Sequence, residues 1–194
     1  MTYHPANGEA ADRSFGIPKA SHTPSGLTTN MNAALTPNAP LRATTFGLEA
    51  LNASFRDMPP VAAMQIRAVS CDDERIYLHA PLAANVNDKQ SAFGGSLASV
   101  MTLAGWGLLC WRLARESIQA EIYVADSQLR YLAPLQDDLL GEAGVADGED
   151  WSGFVRCFQD RGRARIAVSA CVRDNRGRVV AEMSARFAAL RAGS

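Results

Sequence analysis

Histidine, paired cysteines and clustered basic charge are what this chain lacks. It has three histidines and four cysteines in 194 residues. Cys71, Cys110, Cys157 and Cys171 lie too far apart for the close pairs of zinc and redox motifs. No metal and no cofactor is therefore expected. The thiols are expected to be reduced and mostly buried, as in a cytoplasmic protein. Lysine and arginine number 19 against 20 aspartates and glutamates, with no basic cluster, so a nucleic-acid surface is not expected. The N-terminus has no apolar stretch of the signal-peptide kind, which argues against secretion. No internal repeat is visible.

Charge is missing altogether from one stretch. From Ala92 to Trp111 no side chain ionises except Cys110, and about 20 such residues suffice to span a bilayer. Yet Gly94, Gly95, Ser96, Ser99, Thr102, Gly105 and Gly107 make it a poor hydrophobe. There is no second segment like it, and the flanking Lys89 and Arg112 give no sidedness. A helix sheathed by a curved sheet is the better account, because small residues let strands approach its backbone. Such a helix, starting at Gly94-Gly95, aims unsatisfied N–H groups and its positive dipole end at the polar loop before it. Two residues without side chains also let a ligand reach that backbone.

The first forty residues lack apolar periodicity. Met1 to Pro40 holds five of the nine prolines and only four charged residues, too little apolar surface to offset the entropy of ordering. Residues 1–43 are expected to be a disordered tail, or a tether, ahead of a folded domain at 44–194. In that domain Leu48, Leu51 and Phe55 stand at helical spacing, and the pattern ends before Pro59-Pro60. Met64 to Val69 and Arg75 to Pro81 alternate as a hairpin turning at Cys71 to Glu74. The long helix runs to about Glu116. Ala120 to Leu132 is a long β-rich run, Leu139 to Val145 a shorter one, and Trp151 to Gln159 a turn of helix. Ala164 to Arg173 and Arg178 to Leu190 form a last hairpin around Asp174-Asn-Arg-Gly177, a strong turn signal. The fold class expected is α+β, an antiparallel sheet wrapped around one long helix.

Four phrases carry a resemblance: Pro81-Leu-Ala-Ala-Asn-Val-Asn87, Phe93-Gly-Gly-Ser96, Met101-Thr-Leu-Ala-Gly-Trp-Gly107 and Ala125-Asp-Ser-Gln-Leu-Arg-Tyr-Leu-Ala-Pro134. With the element order, over about residues 44 to 191, they resemble the hotdog fold. Within it they look like the thioesterase-like domain of the proteobacterial malonyl-acyl-carrier-protein decarboxylases, in its standalone form without a preceding acetyltransferase. The resemblance implies a catalytic asparagine at Asn87, the second of an Asn-x-Asn pair. It also implies substrate or oxyanion binding around Phe93, Gly94, Gly95 and Thr102. Asn85, Asp88 and Asp126 are further candidates. Its implied partners are a thioester of acyl carrier protein or coenzyme A, and a second copy of the chain in a homodimer or dimer of dimers.

The chain departs from hotdog thioesterases at two places. Phe93 stands where the wider Asn-x5-His-Gly-Gly pattern has histidine, and Thr102 where many such enzymes carry an acid. Hydrolysis needs an activated water or a nucleophilic carboxylate, and Gly94 to Arg115 contains no Asp, Glu or His. Decarboxylation of a malonyl thioester asks only for hydrogen-bond donors on the developing enolate. The expected activity is thus malonyl-thioester decarboxylation feeding fatty-acid or polyketide initiation. Thioester hydrolysis using Asp88 or an acid from a second copy is the alternative, and a non-catalytic thioester-binding dimer the third reading.

Plainer roles compete at each position. Asn87 is also a natural turn cap, and the glycines also serve tight packing. Thr102 is expected to bond a carbonyl one turn back. Asp126, inside an apolar run, needs a partner such as Arg130. His79 reads as a satisfied edge residue.

Overall fold

The computed structural model describes residues 47–193; the expectation of a disordered tail falls outside them. Helix α1 (Leu48–Asp57) buries Leu51 and Phe55, one turn apart. The Asn52 side chain ties it to the sheet, accepting from the Ala68 N–H at 2.8 Å and donating to the Ala68 carbonyl at 3.0 Å. Pro59-Pro60 ends α1 as expected but also begins a second, five-residue helix, α2 (Pro59–Ala63). Proline is at home in a first helical turn, where its missing N–H has no partner to lose.

Strands β1 (Arg67–Cys71) and β2 (Arg75–Ala80) form the first hairpin. A single 3-10 turn (Leu82–Ala84) and a polar loop then lead into α3 (Gly94–Arg115). Next come β3 (Glu121–Tyr131), β4 (Leu139–Val145), α4 (Trp151–Arg161), β5 (Arg163–Arg173) and β6 (Val179–Leu190). The segment expected as a single turn of helix is thus an 11-residue helix, α4. All neighbours pair antiparallel in one sheet of order β1-β2-β4-β5-β6-β3. His79 therefore lies on an interior strand, not an edge.

Helix α3 is the hub. Val100, Met101, Ala104, Leu108 and Leu109 are fully buried. Gly105 shows why small residues are needed: a Cβ there would stand 2.7 Å from two ring carbons of Phe187 on β6 and 3.3 Å from Val168 on β5. The Phe187 ring fills the space of that absent side chain, and burying such a ring is worth about 1.5–3 kcal/mol. Pairing partners share a face of the sheet, so the strands' inner faces (Ala164, Ile166, Val168, Ala170 and Val172 on β5; Met183, Ala185, Phe187 and Ala189 on β6) enclose the helix.

Strand β3 is different. It pairs with β6 alone, and in its 11 residues none is buried and only Ile122 and Leu129 are half-buried. Tyr123, Val124 and Tyr131, with Leu132 just beyond, are large apolar groups left open. A long edge with free backbone groups and apolar side chains is a template for another strand.

Gly105→Ala tests the packing of α3. The gain in helix propensity is at most about 1 kcal/mol, whereas overpacking a closed core costs about 1–3 kcal/mol. Because Phe187 is buried and cannot swing aside, the net effect should be a melting point lower by several degrees. Gly94→Ala, whose added carbon meets only ordinary contacts near 3.8 Å, should leave it within about a degree.

Candidate active site

The first turn of α3 has no cap of the usual kind. Ser, Thr, Asp or Asn normally precedes a helix and accepts from the second or third N–H. Here the preceding residue is Phe93, whose side chain accepts nothing. Its carbonyl takes the Ser96 and Leu97 N–H groups at 2.9 and 3.1 Å. The N–H groups of Gly94 and Gly95 have no partner among the described residues. Two donors at the positive end of a 22-residue helix are thereby left unpartnered among the described residues.

The loop in front is tightly wired. Asn85, only 2 % exposed, donates to the Met64 and Pro81 carbonyls at 2.9 and 2.8 Å. Its own carbonyl accepts from the Phe93 N–H at 2.7 Å, fixing where α3 begins; its side-chain oxygen is buried without a partner. Asn85 is thus the footing of the loop. The Asn87 oxygen accepts from the N–H groups of Lys89 and Ser91 at 2.8 and 3.2 Å. Its amide nitrogen donates to the Ser91 hydroxyl at 3.1 Å and to the Ala92 carbonyl at 3.4 Å. The turn-organising role of Asn87 is therefore filled in this structure. A donation to substrate would replace the long bond to Ala92, the weakest of the set. Asp88 sits exposed at the loop tip.

Further along α3, Thr102 follows Gly95 by seven residues, two turns, which puts it on the same face about 10 Å onward. Its hydroxyl does not bond one turn back, as expected; it faces the Met183 sulfur on β6 at 3.8 Å. The back-bond belongs to Ser99 instead, which donates to the Gly95 carbonyl at 2.8 Å. Met183 pairs with Leu129 of β3, and Tyr131 lies two residues on along the same face. The Tyr131 hydroxyl donates to the Gly94 carbonyl at 3.2 Å. Phe93, 56 % exposed, folds its ring over Gly95, with ring carbons 2.3 to 3.0 Å from where a Cβ would be. Phe93, Gly94, Gly95, Thr102, Leu129 and Tyr131 thus lie along one side of the site, where α3 faces the open β3.

Asp126 is not part of it. It lies on the outer face, forked onto Arg186 with contacts of 2.9 and 3.1 Å to the guanidinium Nε. Arg186, not Arg130, is its partner, and the guanidinium holds its carboxyl below the usual carboxylate range; Arg130 pairs with Glu182 at 2.6 Å. Five residues of strand, about 17 Å, separate Asp126 from Tyr131. A depression of about 540 Å³ lies on that outer face, lined by Arg75, Arg130, Glu142, Cys171 and Glu182 among others. Its charges satisfy one another, with Glu142 bonded to Arg173 at 2.7 Å and to Arg75 at 3.4 Å. The Cys171 thiol is pushed up to about 11 by burial and by Glu142. Burial likewise pushes Cys110 up. All four cysteines are free, though half-buried rather than buried. Among the described residues no group of three His, Cys, Asp or Glu side chains is placed to hold a metal ion.

A family model described as "putative thioesterase", the YiiD C-terminal domain, matches residues 48–191. The chain belongs to this family. Solved structures agree. A protein of unknown function from Chlorobaculum tepidum is 28 % identical with a TM-score of 0.69, over 74 % of this chain and 93 % of that one. A "putative thioesterase" from Shewanella oneidensis is 26 % identical with a TM-score of 0.66, over 74 % and 96 %. A Haemophilus influenzae thioesterase, 13 % identical over 79 % and 97 % with a TM-score of 0.63, shares the fold. The thioesterase-like domain is a hotdog: an antiparallel sheet around a long central helix.

The residues that the sequence did not single out are Ser91, Asp138 and Tyr131. Ser91 is buried and closes the Asn87 loop; its spacing of four from an asparagine was the only signal. Asp138 accepts from the Leu82 N–H at 2.9 Å and contacts His79 Nε2 at 3.0 Å, pinning the turn that leads to Asn85. The Leu82 N–H first, then His79, holds its carboxyl below the usual range. A depressed carboxyl adds stability above its unfolded pKa of about 3.9, and loses it as pH falls through the folded value. The melting-point gap between the domain and its Asp138→Ala variant should accordingly be present at pH 7 and close below about pH 4. A gap independent of pH would refute this role for the ionised carboxylate.

Proposed function

We propose that this thioesterase-like domain acts on an acyl thioester whose carbonyl oxygen takes the N–H groups of Gly94 and Gly95, with the acyl chain running between α3 and β3 toward Thr102. The supporting observation is the uncapped first turn of α3, two free donors beside the exposed rings of Phe93 and Tyr131. That is the requirement of an oxyanion site. The thioester is carried on acyl carrier protein or coenzyme A.

Two reactions share that first requirement. Hydrolysis is backed by the family's description and by the names of solved neighbours. It needs a base, and the carboxylate nearest in sequence to Asn87 is the exposed Asp88, so that residue or an acid of a second copy would serve. Decarboxylation of a malonyl thioester to acetyl thioester and CO₂ is backed by the side chains. The residues placed beside the two donors, Phe93, Thr102, Leu129 and Tyr131, include no acid and no histidine. The leaving CO₂ takes no proton, and the enolate is protonated from water.

The same reading extends to assembly. The open β3 edge and its apolar side chains favour a homodimer in which the two β3 strands pair into a continuous sheet and each covers the other's site. Sedimentation should show a dimer at micromolar concentration. A monomer at every concentration tested would rule this out.

Following CO₂ and free thiol separately, from malonyl and from acetyl thioesters, decides between the reactions. For a decarboxylase, Asn87→Ala lowers CO₂ release by about 10²–10³, and Asp88→Ala changes it less than about twofold. For a hydrolase the order reverses, Asp88→Ala removing thiol release. Turnover of neither thioester would leave a binding protein.

A further inference from the structure

The peptide unit joining Gly94 to Gly95 carries one of the two free donors. Its N–H is that of Gly95, and its C=O is that of Gly94, which accepts from the Tyr131 hydroxyl at 3.2 Å. As the first carbonyl of α3, it also faces the ordinary helical N–H four residues on. A carbonyl that accepts a second hydrogen bond draws electron density through the amide, and the N–H of the same unit becomes a better donor. Tyr131 comes from the far end of β3, on the strand that otherwise leaves the site open. Its ring lies 3.8 Å from the position a Gly94 Cβ would occupy, and nothing else on β3 contributes a polar contact to this turn among the described residues. In a single copy Tyr131 is 56 % exposed, so there the bond is not needed to satisfy the phenol.

We infer that Tyr131 is a positioning residue: its hydroxyl orients and polarises the Gly94–Gly95 peptide so that the Gly95 N–H is a stronger oxyanion donor. This rests on the oxyanion reading of the α3 N-terminus. Its reach follows from two general magnitudes. An oxyanion donor is worth about two to three decades in rate, and a coupled bond strengthens its neighbour by roughly 10–30 %. Losing the hydroxyl should therefore cost about two- to eightfold in kcat. KM should stay within about twofold, because the ground-state carbonyl carries less charge than the oxyanion.

The test needs a readout that a merely structural tyrosine would not move. Gly94-Gly95 is the one Gly-Gly pair in the sequence. Glycine labelled with ¹³C at the carbonyl and ¹⁵N at the amide therefore makes the Gly95 N–H the one signal in a carbonyl-correlated spectrum. In Tyr131→Phe that proton should move upfield, with kcat reduced and KM held. With 3-fluorotyrosine at position 131, a stronger donor in an unchanged fold, it should move downfield with no loss of kcat. A Gly95 signal indifferent to both changes would overturn the inference whatever the turnover. So would a signal that moves in both while kcat stays constant. Should no thioester be turned over at all, the functional reading fails, and the Gly95 signal still judges the Tyr131 contact on its own. If Tyr131→Phe unfolds, the direction of the shift in the fluorotyrosine protein decides alone.

Discussion

Everything in this domain depends on burying a helix that has no charge to offer water. Helix α3 is surrounded by strands because Gly105 leaves room for Phe187 and Val168 to press on its backbone. That contact lets Phe187 of β6 and Val168 of β5 come close to the helix backbone. The loop ahead of α3 inherits its position from the same packing. Asn85 is held by carbonyls of Met64 and Pro81, and it in turn holds the Phe93 N–H. The donors of Gly94 and Gly95 are thus placed by the core, two steps removed.

Placing donors by packing, with no charged side chain, constrains the chemistry. Backbone N–H groups cannot take up or give protons near neutral pH, so they stabilise developing negative charge and nothing else. A reaction completed by them alone must need no base. Where a thioesterase would have histidine, Phe93 covers Gly95 with a ring. Two of the carboxylates considered have other employment, Asp126 on Arg186 and Asp138 on the Leu82 turn, which leaves the exposed Asp88. The family description and the side chains around Gly94-Gly95 therefore favour different proposals, hydrolysis and decarboxylation.

Much of this was legible in the sequence, for a physical reason in each case. The central helix was visible because absence of charge over some twenty residues has few explanations. The last hairpin was visible because Asp174-Asn-Arg-Gly177 codes its own turn; Asp174 does accept from the Arg176 and Arg178 N–H groups, at 3.1 and 2.8 Å. Side-chain partnerships were less accessible. Arg186 reaches Asp126 across a β3–β6 register shifted by a bulge between Val124 and Asp126, and no local spacing predicts a bulge. Thr102 was expected to bond its own helix, but Met183 from β6 lies against it. Tyr131 meets Gly94 only because β3 returns alongside α3, 37 residues later. The candidate loop was legible in its residue types. Its internal wiring, in which Asn87 is spent on Lys89, Ser91 and Ala92, was not.

The exposed β3 edge and the exposed donors at α3 are two forms of one unfinished surface. A hydrogen bond to an oxyanion gains most of its catalytic value where water is excluded, since the same charge in bulk solvent is already well solvated. In a lone copy, Phe93, Val124, Tyr131 and Leu132 all remain open, and a thioester lodged there would keep much of its hydration. Pairing β3 with a second β3 would cover the backbone edge, the apolar side chains and the reacting carbonyl together. In such a dimer, assembly and chemistry would be linked through the same strand: weakening the β3 seam would raise the local dielectric at Gly95 before it perturbed the fold, because α3 is already packed within one copy.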